Sequence, residues 1–502
     1  MNGSMKHFLF LLLAGAGLTF LPGRAAEISR QVFRDANGNG RLDRGERVLR
    51  DMGITDGDTI VWSDRNGRYR LSTEPGRVLS PILPDGYVVT AGGLQNRGCY
   101  CVNGNAATAD FGLCPVKTSS DFRLAVLGDI QADTPEQLEL ARQTVIGEIA
   151  GRDDLDGVMH MGDLVNDDPS LLEAASGALG LLPQPVWTVI GNHDLDIRVK
   201  PRTGTEFRKR VGSDITAFFR GNCCFVLLNN VEAASDSLSD AQLRFLQQLV
   251  GKASKKTLFV LCQHVPMARM KNREAIFSLL CGHRVLILSA HAHTVFRREW
   301  SDRISEVSVG ACCGSWWTGE RDPWGIPAAL QQCGTPRGYF LFDFRNGEYR
   351  FRFKGIGLDA DVQADLWVAG VDSTDRKIET LNEDPAGRLL LNVYGGGEAT
   401  SVEYSVDGIQ WRAMERVERV APAVLRVIYM NYDGGYPTSF ARRTPLRRRT
   451  ASPHLWEAQL PDSLLSDDRW LYFRVSDTRG LESFELRRAL GSCPEWRNDG
   501  CR

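Results

Sequence analysis

Residues 118–356 alternate apolar strand-like runs with helical stretches, and the segments on either side read as short strands cut by turns. That pattern predicts an α/β centre flanked by two all-β, sandwich-like domains. Length agrees, because 502 residues exceed what one ordinary core organises. A net charge of −2 gives no global electrostatic footprint for nucleic acid, so no specific nucleic-acid binding is expected.

Residues 1–25 read as a signal peptide. Lys6 supplies positive charge, Phe8 to Phe20 is apolar, and Gly23, Ala25 and Ala26 are small exit residues. The run falls short of the roughly 20 residues a spanning helix needs. The mature chain is therefore expected to be exported, periplasmic or secreted, without a transmembrane span. Twelve cysteines fit an oxidising compartment. Cys493 and Cys501 bracket a short loop and are a candidate disulfide, and Cys114 could pair with Cys99 or Cys101. Cys262 and Cys281 read as buried thiols.

Residues 26–117 form the first β domain, with strand candidates at Val32–Phe33, Thr59–Trp62, Gly67–Leu71 and Tyr87–Thr90. Its segment Asp35, Asn37, Asn39, Gly40, Asp43 and Glu46 matches positions 1, 3, 5, 6, 9 and 12 of a calcium loop. No flanking helices accompany it, so the alternative is an Asn/Gly-rich turn.

The centre, residues 118–356, opens with the strand Phe122–Leu127. A helix follows at Pro135–Gly151, with Leu138, Ala141, Val145 and Ile149 at helical spacing. Next come the strand Val158–Met161, a helix at Leu171–Leu182 and the strands Val186–Ile190, Cys223–Leu228, Thr257–Cys262 and Val285–Leu288. Residues 357–502 return to β character, with strands at Leu389–Val393, Val402–Ser405, Trp470–Val475 and Phe484–Leu486. Arg442, Arg443, Arg447, Arg448 and Arg449 cluster there, and a solvated loop is the first reading of such a run.

Five motifs fall in order at strand ends of the centre: Asp129-Ile-Gln131, Gly162-Asp163, Gly191-Asn192-His193-Asp194, Gln263-His264 and His291-Ala292-His293. They hold four of the chain's eight histidines. A two-metal site needs many N and O ligands delivered by loops, and a carboxylate can bridge the two cations. His160, His283 and His454 read as packing residues. Beyond the motifs, glycines surround Trp316 and Trp317 in the stretch 310–339. Glycine lets backbone approach a ligand, and tryptophan can stack on a base or sugar; a packed loop is the alternative. A bond from Cys333 to Cys312 or Cys313 would stiffen it.

This order of motifs resembles the calcineurin-like metallophosphoesterase family, in particular exported bacterial members with accessory β domains. The resemblance implies a four-layer α/β/β/α centre. It implies one metal held by Asp129, Gln131, Asp163 and His293, and a second held by Asp163, Asn192, His264 and His291. His193 would then be the general acid or transition-state stabiliser, and a bridging hydroxide the nucleophile. The usual histidine at position 131 is here Gln131, whose harder oxygen favours Mn, Mg or Fe over Zn. The implied substrate is a phosphomonoester, phosphodiester or diphosphate. Nucleotides are slightly favoured by Gln131 and the tryptophan pair, and Trp316, Trp317 and Asn192 are the candidate substrate contacts. The alternative is a non-catalytic scaffold that binds glycan or an envelope polymer, and metal content separates the two.

Overall fold

The computed structural model describes residues 26–490 apart from 75, 91, 98–99, 102–109, 233–235, 320, 373–383, 433–449 and 466–468. The expected leader, the arginine cluster, Cys99, Cys493 and Cys501 lie outside the described residues. No helix among those described is long and apolar enough to cross a membrane.

Two six-stranded sheets face each other in the centre. Across the first run Glu348–Gly355, Gly338–Arg345, Asp121–Leu127, Gly157–His160, Pro185–Thr188 and Gly93–Leu94. Across the second run Thr216–Arg220, Cys223–Leu227, Leu258–Cys262, Arg284–Ser289, Ile304–Val309 and Val295–Ser301. The motif-bearing strands pair in parallel within each sheet.

Period-two side-chain alternation builds the layers. Leu124, Val126, Met159 and Trp187 point between the sheets, where they meet Phe225, Val260 and Leu286. Trp187 stacks on Phe218 at 4.0 Å and Phe218 on Phe225 at 4.6 Å. The opposite face of the first sheet, with Ala125, Leu127 and Val158, packs on Ala141, Val145, Ile149, Ala175 and Leu179. The opposite face of the second, with Val226, Phe259, Leu261 and Ile287, packs on Phe245, Leu249 and Ile276. This is the α/β/β/α arrangement the family resemblance implies. The expected helix over 135–151 carries a wider turn at Arg142–Ile146 between two α segments.

Each flank holds two four-stranded sheets. The first flank also enters the centre, because Gly93–Leu94 adds in parallel to the edge strand Pro185–Thr188. Asn96 secures that junction, donating to the carbonyls of Thr188 and Ser213 and accepting from Thr188 N. The second flank contains a helix, Pro422–Tyr432, that its strand pattern does not announce. Its anchor is Arg297, which pairs with Asp477 at 2.6 Å, with side-chain exposures of 2% and 0%. Asp477 also accepts from Thr400, Arg479 N and Leu481 N.

Cys114, Cys223, Cys224, Cys262, Cys281, Cys312, Cys313 and Cys333 are free thiols, so the expected pairing of Cys114 is not made. The conditional bond from Cys333 is therefore not made, and Cys333 instead lies 3.2 Å from the Thr335 hydroxyl. Cys262 is buried as expected, but Cys281 is exposed, because it falls in the turn before strand Arg284–Ser289 rather than in the strand.

Replacing Arg297 by alanine strands a buried carboxylate. We expect a loss of about 3–5 kcal/mol in unfolding free energy, read by urea titration of tryptophan fluorescence. A loss under about 1 kcal/mol would mean the pair is hydrated, as surface pairs are.

Candidate metal centre

Every motif sits in a loop leaving the carboxyl end of a parallel strand, the place where open α/β sheets present their ligands. The loops bring Asp129, Asp163, Asn192, His193, His264, His291 and His293 together. His264 Nε2 lies 3.1 Å from Asp163 Oδ2 and 3.2 Å from both Asn192 Oδ1 and His291 Nδ1. It stands 4.0 Å from Asp129 Oδ1, and His293 Nε2 stands 3.9 Å from that same oxygen. Ligand atoms of Asp163, His264 and His291 fall within 4.8 Å of one another.

The donors are pre-oriented. His264 Nδ1 faces the Met161 carbonyl at 2.8 Å, and His293 Nδ1 faces that of Gly314 at 2.6 Å. Each carbonyl holds a proton on Nδ1, so Nε2 is the nitrogen turned toward the centre. Asp129 is 0% exposed, and its Oδ1 has no hydrogen-bond partner. An orphaned buried carboxylate oxygen beside converging imidazoles fits a divalent cation.

Backbone strain concentrates in the same loops. Gln131, Asp163, His291 and His293 all have φ between 42° and 65°, a region non-glycine residues seldom occupy. Asp194 compensates: it is fully buried, and its carboxylate accepts from Leu164 N, Val165 N and Gly191 N. Gly162 has φ 96°, and a Cβ there would sit 2.6 Å from His264 Nδ1.

Electrostatics follow burial. Desolvation and the neighbouring Asp163 charge push Asp129 well above the carboxylate range. Burial opposes charge on Asp163 too, but the His264 imidazolium holds it below that range. Burial also opposes charge on His264, yet Asp163 and Asp129 outweigh it and push His264 up to about 9. His291 is lowered to about 3 and His293 to about 4, first by burial, so both are neutral imidazoles.

Gln131 is 1% exposed; its Nε2 donates to Asn166, and its Oε1 stands 3.9 Å from Cys313 Sγ. His193 donates its backbone N–H to Asp163 Oδ1, and its ring Nδ1 lies 3.0 Å from Asp167 Oδ1, off the hydrogen-bond axis. Asp167 is a neighbour the motif reading missed. Its signal was faint, an acid four residues beyond Asp163.

One substrate-contact expectation is corrected. Trp317 is 1% exposed and donates Nε1–H to the Ile130 carbonyl, so its ring is packed under the metal loop and cannot stack on a ligand. Trp316 lies against His293, with ring centroids 4.4 Å apart. The calcium-like residues share one loop of the first flank. Asp35 accepts from Gly38 N, Asn39 N and Gly40 N, and Asp43 accepts from both Asn37 and Asn39. Glu46 accepts from Ala36 N and Asp43 N.

Buried carboxylates and imidazoles at strand ends of a four-layer α/β fold make a site suited to divalent cations. A family model of the calcineurin-like phosphoesterase domain matches residues 122–295, and one of the C-terminal domain of those proteins matches residues 306–482. The chain belongs to the calcineurin-like phosphoesterases. A search of the curated proteins found no match. Among solved structures, a dimetal phosphatase from Danio rerio is 15% identical, over 47% of this chain and 96% of that one, with a TM-score of 0.35. A 5'-nucleotidase from Candida albicans is 9% identical, over 47% of this chain and 52% of that one, with a TM-score of 0.27. At these scores the likeness adds nothing to the family match.

Two outcomes test the geometry. Gly162→Ala should push the His264 ring off its carbonyl, and we expect metal content by elemental analysis to fall while circular dichroism stays native. Full metal content in that variant would show that the loop yields freely. The second concerns pH. With His264 raised above its ordinary 6.5, its pairing stabilises the metal-free protein fully below pH 6.5, and that contribution is lost as pH rises through about 9. A cation must displace this proton, so divalent-ion affinity should rise from pH 6.5 to about 9 with proton release on binding. Calorimetry in buffers of differing ionisation enthalpy reads that release, and none would mean that His264 is already neutral.

Proposed function

We propose that the centre hydrolyses a phosphate ester of a small molecule outside the cytosol. Asp129, Gln131, Asp163 and His293 would hold one divalent cation, and Asp163, Asn192, His264 and His291 the other. The observation that carries this reading is the convergence of Asp163, His264 and His291 beside the partnerless Asp129 oxygen. The charged, apolar and small-residue pattern of residues 1–25 supports the location.

When bound, the cations supply an activated water and neutralise charge on the phosphoryl group. The chain's own residues do the rest. Asp163 accepts the His193 backbone N–H, which ties the acid to the ligand set. His193, partly exposed beside Asp167, delivers a proton to the departing oxygen, and Asp167 favours the ring orientation that does so. Gln131 offers an amide oxygen where imidazole is commoner, which supports Mn, Mg or Fe over Zn at that position. Trp316 forms an apolar wall beside His293 where a nucleoside or other ring could rest.

The test is hydrolysis by the Mn-refilled protein of an aryl phosphate, an aryl phosphodiester, ADP-ribose and a cyclic nucleotide, with Asp163→Ala as control. Mn-dependent turnover absent from the variant supports the reading; a chain that holds no metal and turns over nothing overturns it. His193→Ala should lower kcat by about 10²–10⁴-fold with metal content unchanged. Loss of metal in that variant would remove His193 from the acid role.

A further inference from the structure

One cation at the mouth of the centre has no task in the scheme above. Arg269 ends the short helical turn Met267–Arg269 that follows His264. Its Nη1 lies 2.6 Å from His291 Nε2, the ring nitrogen remote from His264. The base of the turn is pinned, because Met267 N donates to the buried carboxylate of Glu306, which also accepts from Ser289 and Trp300. Arg269 N–H bonds to the Pro266 carbonyl, and Met267 and Met270 are buried on either side. The side chain itself is exposed.

A guanidinium is always charged and carries five donors. Among the described residues its one partner is the His291 ring, and no carboxylate pairs with it. Contacts run from the His193 backbone through Asp163, His264 and His291 to Arg269, so the guanidinium is four contacts removed from the expected acid. It is a rigidly based, desolvation-ready cation with four donors to spare.

We infer that Arg269 is a substrate-binding residue that grips a non-bridging phosphoryl oxygen, and that it selects phosphomonoester dianions over phosphodiester monoanions. The inference rests on the metal-dependent reading above and adds the bond class. Charge-assisted, forked hydrogen bonds strengthen with the charge of the acceptor. A monoester offers a second anionic oxygen, whereas a diester has spent that oxygen on its second ester.

The test compares Mn-loaded wild type with Arg269→Gln and Arg269→Lys. Calorimetry reads the affinity for inorganic phosphate, elemental analysis reads metal content, and kinetics use matched aryl mono- and diesters. Arg269→Gln should weaken phosphate binding by about 10- to 100-fold and raise the monoester KM by a similar factor. Diester kcat/KM should fall by a clearly smaller factor, because its non-bridging oxygens share a single charge, and metal content should hold. Arg269→Lys should recover part of the phosphate affinity, since it keeps the charge but loses the fork. Unchanged phosphate affinity, or equal losses on both esters, would overturn the assignment while leaving the metal-dependent reading intact. If wild type holds no metal and cleaves neither ester, that reading fails and takes this inference with it.

Discussion

Two carboxylates that cannot both be charged alone organise this molecule. Asp129 and Asp163 are 0% and 1% exposed, and desolvation and mutual repulsion oppose ionising the pair. In the metal-free chain the conflict resolves unevenly: His264 supports the charge on Asp163, while Asp129 is driven toward its neutral form. Divalent cations remove the conflict by giving each oxygen a counter-charge. The surrounding structure must therefore hold these donors together against their mutual repulsion.

That restraint is built from backbone. Four site residues at positive φ each cost on the order of 1–3 kcal/mol, so the loops persist only because other bonds over-determine them. Asp194 gathers three N–H groups from two loops, and Gln131 N donates to the Asp163 carbonyl. Further out, the Gln332 N–H holds the His293 carbonyl. The segment around Gln332 is fastened to the second flank in turn: Asn392 donates to the Cys333 carbonyl, and His454 meets the Thr335 hydroxyl. The β domain is thus part of what fixes His293. The C-terminal family match points the same way. It begins at residue 306, inside the last parallel strand, and runs through the loop into the domain.

The elements legible from sequence were those governed by local periodicity. Parallel strands such as Leu258–Cys262 are apolar on both faces, so they read as continuous runs, and the motifs announce themselves at the ends. What escaped was set by contacts far away in sequence. Gly93–Leu94 has no strand signature and is a strand only because Pro185–Thr188 offers it an edge. Arg269 looks like any surface arginine until the Glu306 anchor and the His291 ring are in place. The cysteines misled in a related way. Cys262 read correctly as a buried thiol, but Cys114 and Cys333 read as possible bridge partners and are free. Cys223, Cys224, Cys262, Cys312, Cys313 and Cys333 are buried thiols whose burial raises their pKa and leaves them inert as packing groups.

The adjacent tryptophans show why a pair of like residues need not share a task. Trp316 and Trp317 both sit at φ near 55°, and consecutive left-handed residues turn the chain so that the two rings leave in different directions. Trp317 goes inward, where its N–H satisfies the Ile130 carbonyl between Asp129 and Gln131 and the Arg337 guanidinium covers its ring at 5.4 Å. Trp316 goes toward the centre and lies on His293. Each ring thereby restrains a different strand-end loop, one from the first sheet and one from the second. The stretch after Ile304–Val309 is a clasp across the two sheets, and its glycines serve that close approach. A ligand reaching Trp316 would thus touch the element that sets the spacing of the two halves of the site.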